Sequence, residues 1–214
     1  MKKSTENILE SLIARYPVLE KEKENVKLAF LTVAESYENG GKLFVCGNGG
    51  SSSDAEHIVG ELMKSFLVRR KIDEKTAEEL CGLGEKGRAL AEGLEGALPA
   101  ISLGSHQSLL SAFANDREAD MIYAQQLYGL GRKGDVLIAI STSGNSENVF
   151  LAALTAKAIG AKVISLTGDG GGRLAAYADT AICVPERETY KVQELHLPVY
   201  HALCAMLENE RFGS

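Results

Sequence analysis

The sequence predicts an α/β protein built on a parallel sheet, on three observations. Five short runs, at 42–47, 98–104, 135–141, 162–168 and 180–185, are apolar at successive positions and rich in β-branched residues. Continuous apolarity over so short a length describes a strand covered on both faces, whereas a half-exposed strand would alternate. Stretches with helical periodicity separate the runs, which implies parallel neighbours joined by right-handed crossovers. Loops rich in Gly, Ser, Thr and Asn follow the first, third and fourth runs, at the strand ends where such sheets gather ligands.

The elements follow in order. Thr5 to Arg15 carries Ile8, Leu9, Leu12 and Ile13 on one face, and Val18 to Asn39 carries Val26, Phe30, Val33, Ala34 and Tyr37 on one stripe. The "NGG" at 39–41 stops the second pattern. Residues 1–40 are therefore expected to form N-terminal helices, and 41–214 the α/β domain. The segment 67–97 is charged, helical in two pieces and longer than a crossover needs, and it reads as a solvated helical insertion, with a lid or a subunit contact as the alternative. The stripe at 26–37 and the apolar "LPVYHALCAMLE" near the end offer more helical apolar surface than one sheet face needs, which places the N-terminal helices in an oligomer interface.

Composition narrows the function classes. With 214 residues, 45% hydrophobic and 24% charged, the chain can bury one core and shows no long disordered tract. A formal charge of −6 excludes a general attraction to nucleic acid or to anionic membrane, so an anionic ligand needs a local site. No apolar run reaches the roughly 18 residues of a spanning helix, and the amphipathic start is not a signal peptide. Cys46, Cys81, Cys183 and Cys204 lack metal or redox spacing and read as reduced, mostly buried thiols of a cytoplasmic protein.

The loops suit a phosphate. "GNGGSSSD" at 47–54 and "STSGNSEN" at 141–148 combine hydroxyls, close backbone approach at glycine and the start of a helix. Single serines of this kind commonly just cap helices, and Ser146 stands where an N-cap belongs, but two such loops on one sheet point to a phosphomonoester. A dinucleotide site is disfavoured, because Ser52 replaces the third glycine of G-x-G-x-x-G and no acid ends the second run. No G-K-[ST] occurs, so no nucleotide cofactor is expected.

Four ordered stretches, "CGNGGSSSDAEHIVGELMKSF", "ISTSGNSENV", "SLTGDGGG" and "VPERETYKVQELHLPVYHALC", resemble the sugar isomerase (SIS) domain proteins and, within them, the phosphoheptose isomerases. The likeness runs from about Val26 to the end and leaves 67–97 unmatched. It implies a flavodoxin-like, doubly wound sheet and conversion of sedoheptulose 7-phosphate into D-glycero-D-manno-heptose 7-phosphate through an enediol. It also implies a homotetramer with sites at subunit boundaries, while the acidic charge and the lack of a spanning run give the expectation of no nucleic-acid or membrane partner.

Such an isomerisation moves a proton between neighbouring carbons, which asks for a base and an acid. His57 and Glu61, four residues apart, project from one helix face. Gln193 and His201 lie about 12 Å apart along a later helix, so a site using both needs a long reach or a neighbouring chain. Alone, His57 and Glu61 read as an ordinary helix-surface pair and His201 as a core histidine. The resemblance makes Glu61 the base at C2 and His201 the acid. It puts His57, Glu61, Gln193 and His201 on positions that bind zinc in some members, Ser51, Ser141, Thr142, Ser143 and Ser146 on phosphate contacts, and Asn48, Asn115, Asp116 and Gln193 on sugar contacts. His106 stays unassigned on the loop after the second run, and His196 reads as a buried structural residue. Pro198 is expected to kink its helix and free the Glu194 carbonyl, re-aiming His201. Tyr190 stands where many relatives carry an Asp that contacts a sugar hydroxyl. The competing readings are an isomerase of another phosphosugar and a non-catalytic relative that binds a phosphosugar or a replication initiator.

Overall fold

The computed structural model describes residues 1–213. Five parallel strands, β1 (Leu43–Cys46), β2 (Ala100–Ser102), β3 (Val136–Ser141), β4 (Lys162–Thr167) and β5 (Thr180–Cys183), lie in the order β2-β1-β3-β4-β5. The order reverses at β1 and β3, so the crevice between their carboxyl ends is the switch point of a doubly wound sheet. The continuous apolarity has the expected cause. Leu43, Val45, Ile138 and Ile164 point into a core on one face, and Phe44, Cys46, Leu137 and Val163 point into a second core on the other.

The first face is covered by α1 (Lys3–Arg15), α2 (Lys23–Glu38), α3 (Gly50–Met63) and α10 (Thr189–Phe212). The second is covered by α7 (Ile122–Leu130), α8 (Glu147–Ile159) and α9 (Gly172–Tyr177), with α6 (Gln107–Asp116) leading in from β2. The second N-terminal pattern divides into a 3₁₀ segment, Pro17–Glu22, and α2, because Pro17 opens a tight turn there. The stripe expected to face another subunit lies within this chain's own core. Val26, Phe30 and Val33 are buried, Ala34 and Tyr37 pack against them, and Leu203, Met206 and Leu207 of α10 are buried with them. Leu28 and Leu31 are the α2 leucines left exposed.

The segment after α3 departs from a uniformly solvated insertion. Its outer part is two short helices, α4 (Glu74–Gly82) and α5 (Glu85–Gly93), which bury only Gly87, but Arg70 at its root is 1% exposed. The guanidinium donates from Nε to Glu208 Oε1 at 2.8 Å, from Nη1 to the Leu62 carbonyl at 2.6 Å and from Nη2 to the Glu61 carbonyl at 2.9 Å. Glu208 also accepts from the backbone N–H groups of Phe66, Leu67 and Val68. Arg70 thereby satisfies carbonyls that α3 leaves free at its end and ties them to α10. The burial is tolerable because these protein partners replace the water both charges lose.

α10 stays helical through Pro198, so the expected kink does not break it, and the carbonyl Pro198 frees belongs to exposed Glu194, within reach of solvent. Of the cysteines, Cys46 and Cys204 are buried, Cys183 is half-buried and Cys81 is exposed, all as free thiols. His196 is fully buried, and its ring nitrogens make only a contact with the Thr167 backbone that falls short of a hydrogen bond. Burial pushes its pKa down to about 4, partly offset by that backbone.

Glu208→Gln strips the charge that balances Arg70 and should lower the free energy of unfolding by about 3–5 kcal/mol, read as a lower urea midpoint. The depressed His196 pKa means the unfolded chain binds the extra proton between about pH 6.5 and pH 4, so this contribution is complete above 6.5 and is lost as pH falls towards 4. Unfolding free energy should drop by about 3 kcal/mol across that window, and His196→Leu should flatten this part of the stability–pH curve.

Candidate active site

The loop after β1 turns into α3 through Gly49, whose φ of 56° suits glycine, and the loop after β3 turns into α8 through Gly144, at φ 67°. Neither helix is capped by its N-cap side chain: Gly49 has none, and Ser146, the N-cap of α8, pairs its hydroxyl with Ser141 Oγ at 3.0 Å. The Ser51, Ser52 and Ser53 N–H groups of α3 close a tight turn onto the Asn48 and Gly49 carbonyls, and Val149 N–H of α8 bonds Asn148 Oδ1. This leaves the Gly50, Glu147 and Asn148 amides and the hydroxyls of Ser51, Ser141, Thr142, Ser143 and Ser146 as the donors at the switch point. Ser51 and Ser141 are buried and Ser143 is exposed. The loops are locked together by reciprocal amide bonds, Asn48 Nδ2 to Asn148 Oδ1 at 2.8 Å and Asn148 Nδ2 to Asn48 Oδ1 at 2.9 Å. Tyr123 braces the first loop by donating to the Gly47 carbonyl at 2.6 Å.

The glycine-rich loop after β4 stands behind this cradle. Gly168 N–H donates to the Thr142 carbonyl and Leu174 N–H to the Gly144 carbonyl, both at 3.0 Å, so "TGDGGG" supports the phosphate loop from outside. Arg173 bonds Asn145 there and pairs with Glu147.

Two turns along α3 from its N-terminus, His57 Nε2 lies 3.2 Å from Glu61 Oε1 and 3.4 Å from His201 Nε2 of α10. The i, i+4 spacing brings His57 and Glu61 together as expected, and packing of α10 on α3 adds His201 within the same chain. His57 bridges Glu61 and His201, so these three side chains meet within one chain. The side chain of Glu61 is 14% exposed and that of His57 42%, so the group opens on one side. Phe66 packs on the His201 ring, and a groove of about 500 Å³ passes His201 between α1 and α10. His201 has its pKa pushed down, first by burial and then by His57.

Gln193 does not join this group. It lies against Gly50, where an added Cβ would come 2.5 Å from its Nε2, at the phosphate end of α3 about 10 Å from His57 by helical rise. Asn115 and Asp116 are exposed at the end of α6, the amide of Asn115 donating to Asp116 Oδ1 at 2.9 Å. His106 Nδ1 meets Gln126 Oε1 at 2.6 Å, and Tyr190 is exposed at the start of α10. Sequence reasoning missed Asn148, Tyr123, Tyr200 and Arg70. Of these only Asn148 had a visible cue, its place within the third-strand loop.

The donor set bears on zinc. Two imidazole nitrogens and a carboxylate oxygen are zinc's usual partners, and separations of 3.2 and 3.4 Å match neighbouring ligands about a tetrahedral ion bonded at about 2.0–2.1 Å. Glu61 and His201 make no ion pair with each other, and no three His, Cys, Asp or Glu among the described residues surround a common point. The trio therefore matches zinc in donor type and in two pairwise spacings, but as placed it does not close around a common point, and Gln193 lies apart from it.

Comparison with known proteins agrees with this geometry. The SIS domain family matches residues 9–80 and 87–168, including most of the 67–97 segment and omitting the turn of the α4–α5 hairpin. The chain belongs to the SIS domain family. A phosphoheptose isomerase of a Nitratiruptor species is 37% identical over 95% of this chain and 97% of its own, and one of Helicobacter pylori is 39% identical over 89% and 86%. A solved phosphoheptose isomerase of Neisseria gonorrhoeae superposes with a TM-score of 0.74 at 32% identity, covering 94% of each chain. Within the SIS family the chain thus falls among the phosphoheptose isomerases.

Proposed function

We propose that the protein is an aldose–ketose isomerase that converts sedoheptulose 7-phosphate into D-glycero-D-manno-heptose 7-phosphate. The observation that carries this reading is the layout of α3: an anion cradle at its N-terminus and the Glu61–His57–His201 group two turns further on. A helix start binds the phosphate through its amides and the serine hydroxyls, and the rise of two turns, about 10 Å, sets where the reacting carbons lie. A seven-carbon chain extended from its ester reaches that far, and a three-carbon one does not, which favours a long sugar phosphate.

Glu61 then takes a proton from C1 of the ketose while His201 protonates the C2 oxygen, giving the 1,2-enediol. Return of the proton to C2 and loss of the C1 hydroxyl proton complete the aldose, so Glu61 is the base at C2 in the reverse direction. The lowered His201 pKa keeps that imidazole neutral at pH 7, a donor from one nitrogen. Gln193 near the phosphate end is in position to hold a sugar hydroxyl. If zinc is bound, His57, Glu61 and His201 would hold it, and it would supply Lewis-acid polarisation of the sugar oxygens.

The family resemblance also supports a homotetramer. Asn115 and Asp116, exposed at the end of α6, then serve a neighbouring subunit's site, and exposed Leu28 and Leu31 offer contact surface. A cytoplasmic location is supported by the four free thiols, and no helix among the described residues is long and apolar enough to cross a membrane.

Purified protein should turn over sedoheptulose 7-phosphate in preference to shorter ketose phosphates, and Glu61→Gln or His201→Asn should each lower kcat by about 10²-fold or more. An inert wild type, or variants with unchanged kcat, would refute the assignment. Light scattering at micromolar concentration should give four times the chain mass.

A further inference from the structure

His57 is the member of the Glu61–His57–His201 group that is held from behind. Its Nδ1 lies 3.1 Å from the hydroxyl of Tyr200, and that hydroxyl lies 3.1 Å from Asp54 Oδ1. Asp54 sits one turn before His57 on α3, and Tyr200 precedes His201 on α10, so the same helix contact that assembles the trio assembles this chain of bonds. Tyr200 is 1% exposed, and the second carboxylate oxygen of Asp54 is buried without a partner. The phenol is therefore the side-chain donor on which the Asp54 carboxylate depends.

A phenol has one proton to give. Asp54, as a carboxylate, only accepts, so the Tyr200 proton goes to Asp54 and the phenolic oxygen accepts Nδ1–H from His57. His57 Nε2 then carries a lone pair, and of its two neighbours only His201 can donate to it. Glu61 Oε1, at 3.2 Å, receives no proton from His57 and keeps its lone pairs for another task. We propose that Tyr200, backed by Asp54, is a positioning residue that fixes His57 as the Nδ1–H tautomer and so leaves Glu61 Oε1 free to act as a base, while Oε2 faces the exposed Lys64 Nζ at 3.4 Å. Burial raises the pKa of Tyr200, and the nearby Asp54 adds to the effect, so the phenol keeps its proton; burial also pushes Asp54 up, which the bond from Tyr200 and the neighbouring His57 oppose. The same tautomer offers Nε2 to a metal ion, so the arrangement serves the trio with or without one.

The catalytic consequence rests on the isomerase reading, whereas the tautomer does not. Nitrogen NMR of ring-labelled full-length protein, with His57 assigned by His57→Gln, should show Nδ1 protonated and Nε2 bare. Tyr200→Phe removes only the hydroxyl. Asp54→Asn offers an amide donor to the phenolic oxygen, swings the phenol proton onto His57 Nδ1 and moves the ring proton to Nε2. Both variants should lower kcat for sedoheptulose 7-phosphate by about 10–100-fold, with KM within about twofold and an unfolding midpoint close to wild type. A wild-type ring protonated at Nε2 instead of Nδ1, or wild-type kcat in both variants, would overturn the proposal. A wild type that does not turn the sugar over would overturn the isomerase reading alone, and the ring spectra of wild type and Asp54→Asn would still decide the tautomer.

Discussion

The contact between α3 and α10 is pinned by one buried ion pair, and the arrangement of the site depends on it. Arg70 and Glu208 are both excluded from solvent, yet neither is short of partners. The guanidinium bonds the carboxylate and two terminal carbonyls of α3, and the carboxylate takes three backbone N–H groups besides. Two charges taken out of water gain little net stability over a well-packed apolar pair. What they impose is register. One of the carbonyls held by Arg70 belongs to Glu61, and Glu208 lies two turns beyond His201 on α10, so the pair sets the height at which Glu61 and His201 face each other.

With that register set, α3 carries both ends of the proposed chemistry. Its N-terminus presents the Gly50 amide and the Ser51 hydroxyl where β1 ends, and its side chains two turns on present the proposed proton-transfer group. The anion end is stiffened by contacts among loops: the amide pair of Asn48 and Asn148, the Tyr123 brace, and the β4 loop packed behind Gly144. A cradle made of backbone and hydroxyls depends on such bracing, because its donors are short and move only with the loops that carry them, and the one arginine beside it, Arg173, is committed to Asn145 and Glu147. The proton-transfer end is stiffened differently, by Tyr200 and Asp54 behind His57.

Much of this was legible before any coordinates. Continuous apolar runs identified the strands, since burial on both faces demands apolar residues at successive positions. The glycine and serine loops marked the strand ends, because close approach and hydroxyl donors are local properties. His57 and Glu61 were paired by helical spacing alone. Arg70 was hidden for the opposite reason: it sits in a charged run that reads as solvated, and its partner is 138 residues away. The stripe at 26–37 was read as surplus surface because the sequence does not say how much apolar area α10 and the sheet present to it.

The sequence by itself determined the class of fold, the loops that face a ligand and the residue types available for acid–base work, because each follows from periodicity, turn chemistry or side-chain inventory within a few neighbouring residues. Only the tertiary structure decided that His201 meets His57, that Gln193 lies at the phosphate end and that Tyr200 stands between Asp54 and His57. Those outcomes turn on the relative height of two helices far apart in the chain. That height is set by packing and by a buried charge pair whose partners share no local signature.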